Sequence, residues 1–175
     1  MRRIHILLAA AAILGVAATT SSASSADTFS GSCHFSGTVS FDPPLTTSAQ
    51  PTHAVADAAG PCSGTWTTAN GKEASLDGDQ VLYRAYSDGT QSCASSSASG
   101  AGFIEYRHHR LYFSLSETRV GATSPLLLEG RAGGSFTGVA GGSGDPVTIA
   151  QQCAGPGLAQ APVDILGSTT PTMSG

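Results

Sequence analysis

Apolar side chains recur at alternate positions through much of the chain after residue 30, and no stretch keeps a helical period for three turns. From Cys33 onward, one parity carries Phe35, Val39 and Phe41, and the other carries His34, Ser36, Thr38 and Ser40. Successive side chains of a strand point to opposite faces, so the pattern predicts a half-buried strand with Gly37 inside it. Asp42-Pro43-Pro44 is expected to end that strand, because proline cannot donate to a sheet ladder. Cys62 to Thr68 repeats the first segment in type, and further strands are predicted over 80–86, 102–107, 111–120, 126–132, 135–140, 147–153 and 163–166. Ser87-Asp88-Gly89 and Gly142-Ser143-Gly144-Asp145 are expected turns. Residues 45–61 lack periodicity and predict a long loop with a helical turn near 54–59, and 92–102 predicts a second, small-residue loop.

The Asn70-Gly71 pair marks a hairpin, and the flanking pattern chooses its register. A two-residue loop sets Trp66 opposite Ser75 and Thr65 opposite Leu76, which mixes the faces. A three-residue loop with Gly71 in the left-handed region sets Trp66 opposite Ala74 and Gly64 opposite Leu76. One residue of slip exchanges the faces, so the second register is predicted.

About eight short strands at this spacing predict an all-β domain, either an antiparallel β-barrel or a β-sandwich. The barrel is favoured. Gly37, Gly64, Gly130 and Gly138 fall inside strand patterns, where closure needs tight bends, and closure removes exposed sheet edges.

The start of the chain changes the expected compartment. Met1-Arg2-Arg3, an apolar run from Ile4 to Ala18 and the small residues up to Ala26 predict a secretory signal peptide over 1–26. Cleavage is expected after Ala26, with Ala23 the alternative. A single β domain is then expected over 27–167, followed by a flexible tail over 168–175. No second apolar run is long enough to span a bilayer as a helix, so no transmembrane span is expected in the mature chain. Cys33, Cys62, Cys93 and Cys153 all lie in the mature part and predict two disulfides, favoured as Cys33–Cys62 and Cys93–Cys153. Losing Arg2 and Arg3 takes the formal charge from −4 to −6, and Lys72 is the single lysine. A nucleic-acid partner would need clustered Lys and Arg, so none is expected.

Cys33-x-Phe35-Ser36-Gly37, Asp42-Pro43-Pro44-Leu45 and Gly60-x-Cys62-Ser63-Gly64-Thr65 together resemble uncharacterised small exported all-β proteins of high-GC Gram-positive bacteria. The resemblance implies an exported all-β domain and carries no catalytic residues.

Catalytic, cofactor and metal motifs are not found. Gly141-Gly142-Ser143-Gly144-Asp145 lacks the nucleophile-elbow spacing, and no His-Glu-x-x-His occurs. Glu105-Tyr106-Arg107-His108-His109-Arg110 reads as a solvated turn between two strands, because adjacent histidines point to opposite faces. Asp77-Gly78-Asp79 reads as an acidic turn, since calcium wants six to eight oxygens. The charges inside strand patterns are Arg84, Glu105, Glu117, Arg119, Glu129 and Arg131. Outward, they solubilise; inward in a barrel, they need partners and mark a polar cavity. The outward reading is favoured because charges are seldom buried. With Trp66, Tyr83, Tyr106 and Tyr112 they form the candidate ligand-site set, the aromatics being expected mostly as core or rim.

These residues name no activity. The first expectation is an exported, non-enzymatic barrel binding a small apolar molecule, without a cofactor. The alternative is an envelope structural or interaction protein, or an inhibitor, using loops 42–61 and 92–102 against an exported partner. A barrel isomerase or cyclase is the third.

Overall fold

A computed structural model describes residues 26–175, so nearly all of the expected leader lies outside the described residues. Eight antiparallel strands close into a barrel in which every strand pairs with its neighbours in sequence and the last returns to the first. They are β1 (Thr28–Leu45), β2 (Gln50–Thr67), β3 (Glu73–Gln91), β4 (Ser95–Tyr106), β5 (His109–Val120), β6 (Thr123–Gly130), β7 (Gly133–Gly142) and β8 (Leu158–Ser174). One helix, α1 (Pro146–Ala154), joins β7 to β8. Closure leaves no unpaired edge, which suits a chain with so few charged residues to guard one.

The β2–β3 hairpin has the register that alternation demands. Thr65 pairs with Ser75, Trp66 with Ala74 and Gly64 with Leu76, and Gly71 takes a φ of 80°. Both disulfides form as expected. Cys33–Cys62 joins directly opposed positions of β1 and β2, and Cys93–Cys153 ties the β3–β4 connection to α1.

Several expected loops are strand. Residues 45–61 hold the first two thirds of β2, where Thr52, Ala54, Ala56, Ala58 and Gly60 point inward and His53, Val55, Asp57 and Pro61 point outward. Alanine and glycine inside and small or polar residues outside give little hydropathy contrast, which hid the alternation. The expected loop over 92–102 is mostly β4 for the same reason: Ser96, Ala98 and Gly100 take the inner face. Ser87-Asp88-Gly89 continues β3 and pairs with Gly100, Ser99 and Ala98 rather than turning. Asp42-Pro43-Pro44 does not end β1, which runs on past a register irregularity to Leu45. The expected tail belongs to β8, with Ser168 and Thr169 paired to β7.

Residues 147–153 are helical rather than extended. Asp145 caps the helix by accepting from the Thr148 amide at 2.8 Å, Pro146 occupies its first turn, and Gly155 follows its end. These capping signals outweigh the alternation of Val147 and Ile149. The expected acidic turn at Asp77-Gly78-Asp79 is instead a β-bulge: Cys62 pairs with Asp79 and Ser63 with Asp77, leaving Gly78 unpaired at φ 79°. The turn at Arg107-His108 is present, with both residues at positive φ and Tyr106 paired to His109 across it.

The interior is unevenly filled. Phe29, Trp66, Tyr106, Leu111, Phe113, Leu128 and Met173 occupy the end where β1 begins, with Phe35, Tyr83 and Phe136 above them. Asp27 seals that end, accepting from Trp66 Nε1 at 3.3 Å and from the Ala69 amide at 2.7 Å, and lying 3.3 Å from His109 Nδ1. Toward the α1 end the inward positions become Ala54, Ala56, Ala85, Ala140 and Ala161.

The packed part of the wall tolerates little. A Cβ on Gly37 would lie 2.6 Å from the Ala58 Cβ and against the Asp57 carbonyl oxygen. Gly37→Ala is therefore expected to lower the unfolding free energy by about 1–3 kcal/mol in urea titration. An unchanged midpoint and slope would show that β1 and β2 do not approach as described.

Candidate functional site

Where the inward residues shrink, the barrel is hollow. A cavity of about 570 Å³ opens toward the α1 end, and its wall is two-faced. Val39 and Phe41 of β1, Ala54 and Ala56 of β2, Ala161 and Val163 of β8, and Ile149 of α1 make an apolar side. Ser87 and Gln91 of β3, Glu117 and Arg119 of β5, and Ser124 of β6 make a polar side. Tyr83 lies on the wall where the aromatic filling begins, its ring 5.4 Å from Phe35 and 5.7 Å from Phe113.

Strand register places the polar side in a cross-strand row. Gln91 pairs with Ser96, and Ser96 with Arg119. On the next strand Glu117 pairs with Leu126 and Val120 with Thr123, a register that sets Ser124 beside Arg119. Glu117 sits one inward step further from the mouth, paired to Ala98 on one side and Leu126 on the other. A small neighbour leaves its carboxylate room.

The two inward charges do not form a direct ion pair. Arg119 donates from Nη1 to the Cys93 carbonyl at 2.8 Å and to the Gly121 carbonyl at 3.3 Å, and from Nη2 to the Ser92 carbonyl. Its guanidinium thus holds the β3–β4 connection, at the root of the second disulfide, against the start of the β5–β6 turn. Glu117 accepts from Ser96 Oγ at 3.1 Å. Burial pushes the Glu117 carboxyl above the usual carboxylate range, partly offset by the Ser96 hydrogen bond and the Arg119 charge. Burial likewise lowers the Arg119 guanidinium, against the pull of Glu117. Burial first, and the Glu117 charge second, push the Tyr83 phenol far up, so it stays a hydroxyl. Ser124 is 4% exposed, and its Oγ has no hydrogen-bond partner among the described residues.

Of the candidate residues read from the sequence, the fold brings Tyr83, Glu117 and Arg119 together at this cavity. Trp66 and Tyr106 are interior but belong to the filled end, with ring centroids 5.9 Å apart. Arg84, Glu105 and Glu129 are on the outer face, as the solubilising reading expects; Tyr112 is outward rather than in the core, and Arg131 lies in the β6–β7 turn rather than within a strand. There Arg84 Nε lies 3.3 Å from Asp57, Arg110 bonds Glu105, and Arg131 stacks over Tyr112 at 5.0 Å. For Glu117 and Arg119 the outward expectation is corrected, because parity with Leu111, Phe113 and Leu115 commits them to the interior. Sequence reasoning missed Ser87, Gln91 and Ser124. The signal that finds them is small or polar residues on the inward parity at the same end of successive strands.

Among the described residues, no three His, Cys, Asp or Glu side chains converge as metal ligands, and no helix is long and apolar enough to cross a membrane. Comparison with family models, curated proteins and solved structures finds nothing that matches this chain.

The burial of Glu117 has a pH consequence. The folded protein holds the Glu117 proton more tightly than the unfolded chain does. Stability is therefore lost as pH rises from the ordinary carboxylate pKa to the raised folded one. Glu117→Gln, which cannot ionise, is expected to raise the melting temperature at neutral pH. The gain should shrink as pH falls through the ordinary carboxylate range. A melting difference independent of pH would contradict a desolvated Glu117.

Proposed function

We propose that this protein is an exported barrel that binds one small molecule with an apolar body inside its α1 end. The observation that carries the reading is the cavity of about 570 Å³ beneath α1, a size within the usual range of small-molecule sites. An eight-stranded barrel is just wide enough for side chains to fill it or for one small ligand to replace them. Here aromatic residues fill one half and alanines retreat from the other. The apolar side supplies contact area, and a few convergent polar groups supply orientation, as in most binding pockets.

Binding is better supported than catalysis. Among the described residues Glu117 is the one carboxylate on the cavity wall, and Arg119 Nη1 and Nη2 donate to backbone carbonyl oxygens. A paired acid and base is therefore not offered to a substrate. Export is supported by the basic and apolar start of the chain and by two disulfides, which persist in oxidising compartments.

Nile red, an uncharged apolar dye, is expected to bind the disulfide-bonded protein at one saturable site with a blue-shifted emission. Ala56→Phe and Ala85→Phe each place a ring in the cavity and should weaken that binding at least tenfold. An outward substitution of similar size, Ala59→Phe, should leave it unchanged. Equal binding by all three variants would place the dye elsewhere.

A further inference from the structure

The polar side of the cavity carries a specific unmet demand. Ser124 Oγ is buried without a partner, and a buried hydroxyl left unbonded is costly and uncommon. Glu117 has one carboxylate oxygen engaged by Ser96 and the other without a protein partner among the described residues, so it is available to a ligand donor. The two residues are diagonal neighbours on β5 and β6, both inward. Diagonal pairs lie roughly 7–8 Å apart, close enough for one oxygen atom placed between them to meet both side chains.

Charge then narrows the ligand. Arg119 lies on the same face as Glu117, and its bonded nitrogens are spent on the Ser92, Cys93 and Gly121 carbonyls. The wall is therefore neutral as a whole, with its cation fixed in place. A carboxylate ligand would meet Glu117 as a like charge, and three of the five Arg119 N–H groups are already committed to backbone carbonyls. An ammonium ligand would add a second cation to a half-buried site already holding Arg119. Either would leave one net charge against the apolar side, where unpaired charge is strongly disfavoured.

We infer that the ligand is an uncharged molecule bearing an alcohol or phenol hydroxyl, which donates to Glu117 and accepts from Ser124. A hydroxyl is the smallest neutral group that does both. Its apolar remainder lies across Val39, Ala56 and Val163 on the opposite side. The Tyr83 hydroxyl is a second donor within the same wall. This inference rests on the cavity-binding reading above and adds the chemistry of the head group.

The test is competition against bound Nile red by four ten-carbon probes below their micelle concentrations: decane, 1-decanol, decylammonium and decanoate. With the disulfide-bonded protein, 1-decanol is expected to compete about tenfold or more better than each of the others, as one good hydrogen bond to a charged group allows. Ser124→Ala and Glu117→Met should each reduce the advantage of decanol over decane, each ratio being read against that variant's own Nile red affinity. Retained Nile red binding also shows that these variants are folded. If decane competes equally, or if decylammonium or decanoate is the tightest, the hydroxyl assignment is overturned while the cavity reading stands. If Nile red itself does not bind, the cavity reading falls and takes this inference with it.

Discussion

Pairing of β8 back onto β1 fixes the cross-section of this molecule, and the rest follows from what side chains are given to that fixed space. In a closed sheet the wall cannot collapse onto a deficit of volume the way two packed layers can. A run of small inward residues therefore leaves a hole rather than a thinner core. The same alternation that makes each strand thus decides, position by position, whether the barrel is solid or hollow. Below Tyr83 the inward parity carries rings and long aliphatics; above it, alanine, serine and glycine predominate.

The polar groups at the hollow end are consistent with that geometry. Charges are tolerated inside because the mouth is near and because Arg119 finds carbonyl oxygens at the β3–β4 connection. That connection is also where Cys93 reaches Cys153 of α1. One guanidinium and one disulfide therefore hold the same corner, with Leu45, Leu158 and Ala161 packed beneath it. The helix crossing the mouth is tethered by its last turn rather than by a broad apolar face, since Cys153 is its buried residue.

Much of this was legible in the sequence, and what was hidden was hidden for a physical reason. The alternation of Phe35, Val39 and Phe41, and the choice between two hairpin registers at Asn70-Gly71, both depend on contrast between large apolar and polar residues. Contrast is what the cavity lacks. Thr52 to Gly60, and Ser96 to Gly102, are strands whose inner faces are small because they border empty space or a neighbouring backbone. The absence of hydropathy contrast was thus itself a mark of the hollow end. Helix α1 was missed because Val147 and Ile149 alternate, although Asp145-Pro146 and Gly155 bound it with ordinary capping chemistry. Glu117 and Arg119 were recognised as site candidates, but only their continuity with Leu111, Phe113 and Leu115 settles the face they share.

The central claim is a barrel filled at one end and hollow at the other, and methyl-resolved NMR under xenon pressure tests it most directly, since xenon settles against unfilled apolar surface. The account predicts saturable shifts of the Leu115, Leu126, Val163 and Ile165 methyls, which border the cavity, and little change at Leu76, Leu111 and Leu128 in the packed half. Equal response in both halves, or none in either, would contradict it.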